Sequence, residues 1–338
     1  MKTFISAILA FLTVISGFFT SIDSVNELKG KGDISGYALT ASCEKELADL
    51  KTDENGDFTV LQFTDTHFTT GISFADVLTL TKMKDQTEKY DPDLVVITGD
   101  MINDGDRGAF NKSYVLRQVA GLFEDLDQYW AYVPGNNDGQ NYGSTEDIAA
   151  YLCGYEHCLI ADEKDISGAT SYSIDILDGE EMTHSMVFLD SMDYDSEDSE
   201  HVYGYVHEDQ VNWCKEEIDE KKSENENVTV SVFMHENTPA FQKAAENGEA
   251  YKKGYATIAR SAEKFNIPKN QPLDDVFDES GVVGLVAIGH VHPASPMCSF
   301  YNGTYYHIAS KTSVASTLIT IHTREDSVKE MYDFSVIR

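Results

Sequence analysis

Basic residues are scarce in this 338-residue chain, whose 25 lysines and arginines are outnumbered by 58 aspartates and glutamates. The formal net charge at pH 7 is therefore −33. A field of this sign repels nucleic acid phosphates and anionic membranes at long range. The chain also lacks a patch of basic and aromatic residues, so a nucleic-acid partner is disfavoured. The hydrophobic share of 41% is ordinary and predicts a folded domain.

Long apolar segments are missing as well. The apolar run Phe4–Phe19 is shorter than the roughly 20 residues that a membrane-spanning helix needs. Because it follows Lys2, residues 1–21 are predicted to form a secretory signal peptide. No small-x-small cleavage site is visible, and an uncleaved membrane anchor is the alternative. We therefore expect a secreted or extracytoplasmic protein without stable membrane association after signal cleavage.

Cysteine is too sparse and too scattered for a zinc pattern. In an exported protein Cys153 and Cys158 could pair, and buried thiols are the alternative. The odd total leaves at least one thiol outside any such pair. The five cysteines are Cys43, Cys153, Cys158, Cys214 and Cys298.

Neither repeats nor a dividing linker is visible, so residues 58–338 are predicted to form one domain. A polar leader at 22–57, with a short helix near Glu44–Leu50, precedes it. Helices are predicted at Ala75–Tyr90, Tyr114–Leu126 and Glu208–Lys222. Strands are predicted at Phe58–Phe63, Leu94–Thr98, Trp130–Val133, Ser171–Ile176, Met186–Leu189, Val228–Phe233, Val282–Ile288, Tyr305–Ala309, Thr317–Ile321 and Val328–Phe334, the last three as a closing antiparallel group.

Side chains that bind metals follow five of these predicted strands. Open α/β sheets place their ligand sites at the carboxyl ends of the strands, so these side chains are expected to meet. Imidazoles suit zinc, iron or manganese. Asp100 follows the flexible Gly99 and is the natural carboxylate to bridge two ions. The pattern predicts a two-metal site built from Asp65, His67, Asp100, Asn136, His235, His290 and His292.

The series resembles the motifs of the calcineurin-like metallophosphoesterases. It consists, in order, of Asp65-Thr66-His67, Gly99-Asp100, Gly135-Asn136-Asn137-Asp138, His235 and Gly289-His290-Val291-His292. Gly204-Tyr205 and the segment Asp209–Trp213 resemble the secreted branch of that family near the purple acid phosphatases. The resemblance covers residues 58–310. It implies a four-layer αββα sandwich of two mixed β-sheets flanked by helices, with a dinuclear metal site at the carboxyl ends of the strands.

The resemblance also implies ligand sets and a reaction. Two divalent ions (Mn, Zn or Fe) are expected. The expected reaction is the hydrolysis of a small-molecule phosphate ester, either a monoester or a diester, by a hydroxide that bridges the ions. The first ion is expected on Asp65, His67, Asp100 and His292. The second is expected on Asp100, Asn136, His235 and His290.

Two positions depart from the family pattern. Asn137 stands where the family has a histidine that stabilises the transition state or protonates the leaving oxygen, held by the next acid, here Asp138. Both residues are predicted to be catalytic, yet an amide cannot act as a general acid near neutral pH. A metal-retaining binding protein that is catalytically weak or inactive is therefore the alternative. Asn103 replaces a tyrosine of the purple branch, which predicts a colourless site.

The remaining candidates carry no such support. The loops that would select the substrate, such as Asn237–Gly254, contain no motif that identifies it. Six other histidines are predicted to be structural, namely His157, His184, His201, His207, His307 and His322.

Overall fold

Two β-sheets form the centre of the computed structural model, which describes residues 50–103, 109–139, 144–161, 165–192, 203–251, 255, 258 and 267–338. Of residues 109–113 and 268 only the backbone is described. These residues all belong to one compact unit, Leu39–Arg338. The predicted signal peptide, residues 22–49 of the predicted leader, and Cys43 lie outside the described residues.

The strands of the described part of the chain are short and mostly buried. In chain order they are β1 (Leu50–Lys51), β2 (Asp57–Phe63), β3 (Leu94–Thr98), β4 (Trp130–Val133), β5 (Tyr172–Asp178), β6 (Glu181–Phe188), β7 (Thr229–Phe233), β8 (Glu249–Ala250), β9 (Val283–Ile288), β10 (Met297–Tyr301), β11 (Thr304–Ile308), β12 (Ser316–His322) and β13 (Tyr332–Ile337).

Both sheets are mixed. The larger has the order β1-β5-β6-β7-β9-β11-β10-β8, and the smaller has the order β13-β12-β2-β3-β4. In the smaller sheet β2, β3 and β4 are parallel, and β12 runs antiparallel to β2. In the larger sheet β6, β7, β9 and β11 are parallel, and β10 runs antiparallel to β11. The predicted class, two mixed sheets with helices, is confirmed.

Helices connect the strands. They are α1 (Phe74–Tyr90), α2 (Ala109–Asp125), α3 (Thr145–Cys153), α4 (Glu208–Glu224), α5 (Pro239–Asn247), α6 (Gln271–Ser280) and α7 (Val328–Met331), with a 3₁₀ turn at Pro268–Asn270. The Ser73 side chain begins α1 by accepting from the backbone N–H of Asp76. None of the helices in the described ranges combines the length and the apolar character needed to cross a bilayer.

Apolar side chains fill the space on both faces of the larger sheet. Phe188 and Phe233 of this sheet belong to the same buried cluster as Val60 and Ile97 of the smaller sheet. A second cluster joins the other face of the larger sheet to helices α4, α5 and α6, with Phe241 among its members. Burial on both faces explains why the parallel strands read as continuous apolar runs.

Several boundaries differ from the sequence prediction. The predicted strand Val328–Phe334 is wrong at its start, because α7 occupies its first four residues and β13 begins only at Tyr332. The predicted antiparallel arrangement is wrong for β11, which is parallel to β9; its antiparallel neighbour is β10, which was not predicted. Leu50 lies in β1 rather than at the end of a helix. Helices α3, α5 and α6 were not predicted, and α5 and β8 lie within the range Asn237–Gly254.

The cysteines also differ from one of the two predictions. Cys153 is disulfide-bonded. Cys158 keeps a buried thiol, as do Cys214 and Cys298, so Cys153 does not pair with Cys158. The alternative of buried thiols is therefore the one found at these three positions.

Candidate metal centre

Strand ends of both sheets deliver the predicted ligands to one place. In the smaller sheet the parallel strands β2, β3 and β4 end just before Asp65, Asp100 and Asn136. In the larger sheet β7 and β9, which are also parallel, end just before His235 and His290. Because parallel neighbours share a carboxyl edge, the ligands come from two edges, one in each sheet. All seven predicted ligand residues lie within the described part of the chain.

One group of donor atoms lies around Asp65. His292 Nε2 is 2.7 Å from Asp65 Oδ1 and 3.0 Å from His67 Nε2. His67 Nε2 is 3.6 Å from Asp100 Oδ2. One ligand atom from each of these four residues lies within 4.8 Å of every other. This group is the first predicted ligand set.

The second group lies around the other oxygen of Asp100. Asp100 Oδ1 is 3.4 Å from His235 Nε2, which is 3.3 Å from Asn136 Oδ1. The same Asn136 oxygen is 3.0 Å from His290 Nδ1. The two groups therefore meet at Asp100, which directs Oδ2 to one and Oδ1 to the other.

Three glycines make this convergence sterically possible. A Cβ atom on Gly135 would collide with Asp100 Oδ1 and with the Asp100 backbone nitrogen. A Cβ on Gly289 would collide with Thr64 Oγ1 and come within 2.8 Å of Asp65 Oδ2. Gly99 has φ +82°, and a Cβ there would lie 2.7 Å from the Gly135 nitrogen. The glycines of the three motifs are thus required by close approach.

Backbone strain concentrates at the ligands. Ten described non-glycine residues have positive φ, and five of them are predicted ligands. Such left-handed backbone is uncommon outside glycine and costs of order 1–3 kcal/mol per residue, so it persists where the surrounding structure imposes it. The five, with φ between 46° and 62°, are Asp65, His67, Asp100, His290 and His292.

Neighbouring groups orient the ligands. His235 Nδ1–H donates to the Thr98 carbonyl at 2.7 Å, which fixes the ring and leaves Nε2 to point into the centre. The Thr64 hydroxyl and the His290 backbone N–H donate to Asp65 Oδ2, which leaves Asp65 Oδ1 beside His292. Carboxylate, amide and imidazole donors held in this way fit manganese, zinc or iron.

Electrostatic coupling follows from this crowding. Burial would raise the pKa of Asp65, but hydrogen bonds with His292 and His67 hold it well below its usual range. Burial would likewise raise the pKa of Asp100, but the charge of His235 lowers it below its usual value. Burial would lower the pKa of His235, but Asp100 and Asp65 raise it to about 10. The centre therefore holds two ionised carboxylates and attracts positive charge.

Asn137 and Asp138, predicted to be catalytic, have different surroundings. The Asn137 amide Nδ2 donates to Asp100 Oδ2 at 2.6 Å. Asp138 is fully buried and accepts from the Ile102 and Gly135 backbone N–H groups and from the Tyr132 hydroxyl. Burial, followed by the charge of Asp100, raises the pKa of Asp138 to about 6. Asp138 thus contacts its own turn and the neighbouring residues Ile102 and Tyr132, whereas the Asn137 side chain contacts a predicted metal ligand.

The family of the chain is shown by its match to a family model. The model for calcineurin-like phosphoesterases matches residues 58–294. The chain is a calcineurin-like phosphoesterase. Its motif series thus predicted the family correctly, and the match supports the predicted phosphoric ester hydrolase.

One solved structure supports the fold of this phosphoesterase, and a second shows a weaker similarity. A dimetal phosphatase from Danio rerio is 13% identical and superposes with a TM-score of 0.54, covering 78% of this chain and 95% of that one. GAP50, the anchor in the inner membrane complex of Plasmodium, is 12% identical with a TM-score of 0.47, covering 83% of this chain and 89% of that one. No curated protein sequence matches the chain significantly.

The other described histidines of the phosphoesterase lie away from the metal centre. His201 is outside the described residues. His184 and His307 are buried in the core, and His207 caps α4. His157 contacts Glu124 and His322 contacts Asp57.

One residue at the centre was missed by the sequence prediction. Tyr203 packs edge-on against His290, with ring centroids 4.5 Å apart. Its only signal in the sequence was its position directly before the recognised Gly204-Tyr205.

Proposed function

We propose that this phosphoesterase hydrolyses small-molecule phosphate esters at a two-metal centre. The observation that carries the proposal is the pair of donor groups that meet at Asp100. Two divalent cations bound there would polarise phosphoryl oxygens and lower the pKa of water enough to supply a hydroxide nucleophile. The proposed ligands are Asp65, His67, Asp100, Asn136, His235, His290 and His292.

The ligand chemistry supports an anionic substrate despite the acidity of the chain. Only Asp65 and Asp100 bring negative charge, because the amide and the imidazoles bind as neutral groups. Two divalent cations would therefore leave the centre with a charge of about +2, since +4 and −2 are added. A phosphate ester is attracted to such a centre even though the chain carries −33.

The proposed reaction lacks a proton donor at the position of Asn137. An amide can donate a hydrogen bond but not a proton, and losing a general acid typically lowers a rate by about 10²–10⁴-fold. The loss falls mainly on poor leaving groups. We therefore expect good activity on nitrophenyl esters and weak activity on alkyl esters.

An assay of the metal-loaded protein tests this function. The protein, loaded with Mn²⁺, Zn²⁺ or Fe²⁺, is compared on nitrophenyl phosphate and bis-nitrophenyl phosphate. Turnover of either ester, lost on treatment with a chelator and regained with metal, is expected, and the preferred ester identifies a monoesterase or a diesterase. No turnover of either ester, with two metals bound by elemental analysis, would instead support the metal-retaining binding protein.

Export is a second part of the proposal. The apolar run after Lys2 supports a signal peptide at residues 1–21, followed by a leader and by the catalytic domain at 58–338. Amino-terminal sequencing of the protein recovered from its host tests this directly. A mature chain that still begins at Met1 would favour the uncleaved anchor.

A further inference from the structure

Asn137 contacts both oxygens of the shared carboxylate. Its backbone N–H donates to Asp100 Oδ1 at 2.8 Å, and its side-chain Nδ2 donates to Asp100 Oδ2 at 2.6 Å. A carboxylate free to rotate about its Cα–Cβ and Cβ–Cγ bonds would not keep one oxygen toward each donor group. Two donors from one residue fix the plane of this carboxylate.

We propose that Asn137 is a positioning residue for Asp100, and that it sets the metal affinity of the centre. The inference rests on the proposed two-metal function. Each carboxylate oxygen has two lone-pair sites, so one can accept from Asn137 while the other faces a cation. Groups that orient metal ligands in this way typically contribute about 10–100-fold to metal affinity.

The loop that carries Asn137 is itself anchored. Asp138 accepts from Gly135 N–H and Tyr132 O–H at 2.9 Å each, and from Ile102 N–H at 2.8 Å. Because Asp138 is fully buried, these bonds are shielded from water and hold the turn in place. Asp138 therefore positions the loop, and the loop positions Asn137 against Asp100.

This arrangement gives the side chain at position 137 a task other than proton transfer. The Nδ2 group is engaged with Asp100, and an amide does not titrate in the physiological range. The hydrogen bond from Asn137 to Asp100 is therefore expected to persist across the physiological pH range. We expect a substitution of Asn137 to change the affinity of the centre for metal ions.

Mn²⁺ titration of the full chain tests the inference. Asn137→Leu keeps the branching of the side chain at Cγ and removes the donor, while the backbone N–H remains. It is expected to weaken Mn²⁺ binding by about 10–100-fold, measured from free Mn²⁺ by EPR. Asn137→Ser, too short to reach Asp100 Oδ2, is expected to show the same loss and serves if the leucine variant does not fold. Asn212→Leu, on the exposed face of α4, is the matched control and is expected to bind like the wild type.

A second readout separates positioning from general stability. The EPR spectrum of the doubly loaded protein reports the magnetic coupling of the two Mn²⁺ ions, which depends on the carboxylate shared between them. We expect this coupling to change in Asn137→Leu and to be unchanged in Asn212→Leu. Wild-type affinity and coupling in folded Asn137→Leu would overturn the inference. A wild type that binds two ions but hydrolyses neither ester would overturn the proposed function alone, because the comparison of affinities would still stand.

Discussion

Single residues decide how closely the two sheets approach at the centre. Gly135 lies against Asp100 and His235, and Gly289 lies against Thr64 and Asp65, with no room for a methyl group at either glycine. The strained backbone of the ligands adds to this constraint, because left-handed conformations leave little freedom to adjust. Small changes in these loops are therefore expected to move metal ligands.

Gly135→Ala is predicted to disable the centre. The added Cβ would displace Asp100, and a misplacement of about 1 Å can lower a rate by about 10²-fold. We expect a loss of at least that size in kcat/KM for the better nitrophenyl ester. The control is Gly121→Ala in α2, where a Cβ meets nothing within 4 Å. The control should keep its activity and gain about 0.5–1 kcal/mol in stability. Equal activity of the two variants would contradict the steric argument.

Asn137→His is predicted to alter leaving-group preference. A histidine restores a group that can protonate the leaving oxygen, and such a group contributes about 10²–10⁴-fold with poor leaving groups. The measurement is the ratio of the rates on an alkyl phosphate and on the matching nitrophenyl phosphate. This ratio is unaffected by incomplete metal loading, which lowers both rates equally. It should rise in Asn137→His, and an unchanged ratio would count against a missing general acid.

Among the secondary-structure elements, the buried strands were easier to predict than the helices that connect them. The strands β3 and β4 were predicted at their observed bounds, because strands buried on both faces are continuous apolar runs. Helix α6 carries its buried Leu273, Val276 and Phe277 at helical spacing, a signal that was available and missed. The helical turn of α7 could not be predicted, since it has only four residues and Val328 also suits a strand.

The contacts of single ligands were beyond the sequence. The order of motifs indicated which residues meet, because parallel strands share a carboxyl edge. It carried no information on the donation from Asn137 to Asp100, which depends on the conformation of one turn. It predicted a catalytic role for Asp138 but did not show that Asp138 accepts the hydrogen bonds that hold this turn.

Strand β4 should lose stability when its link to this turn is removed. Tyr132→Phe deletes the hydroxyl that donates to Asp138 Oδ2, leaving a buried carboxylate with fewer donors. The expected cost is about 1–3 kcal/mol in the free energy of unfolding, measured by urea denaturation. Tyr129→Phe, an exposed tyrosine next to the same strand, is the control and should be nearly neutral. A neutral Tyr132→Phe would mean that the hydroxyl does not support the turn.

At the scale of the whole molecule, buried histidines link stability to pH. Burial lowers the pKa of His184 to about 3 and that of His307 to about 3. Both are neutral in the folded chain, and in the unfolded chain they gain a proton below about pH 6.5. Each therefore stabilises the fold fully above that pH and loses its contribution as the pH falls toward 3.

The effect is predicted to be visible as a difference between variants. His184 lies between the hydroxyls of Thr229 and Ser231, and His184→Gln removes its titration while keeping a polar group. As the pH falls from about 6 to about 4, the free energy of unfolding of the wild type should decrease by about 1.4 kcal/mol per pH unit more than that of the variant. Urea midpoints measured at several pH values give this slope. Parallel slopes would show that His184 is not neutral in the folded chain.

The two donor groups that share Asp100 are each expected to hold one cation. The most direct measurement is the ratio of manganese to protein after saturation and gel filtration, for the wild type, His292→Ala and His235→Ala. We expect about two ions in the wild type and about one in each variant, because each variant removes a ligand of one group only. A wild-type ratio of one or none, or variants that keep both ions, would contradict it.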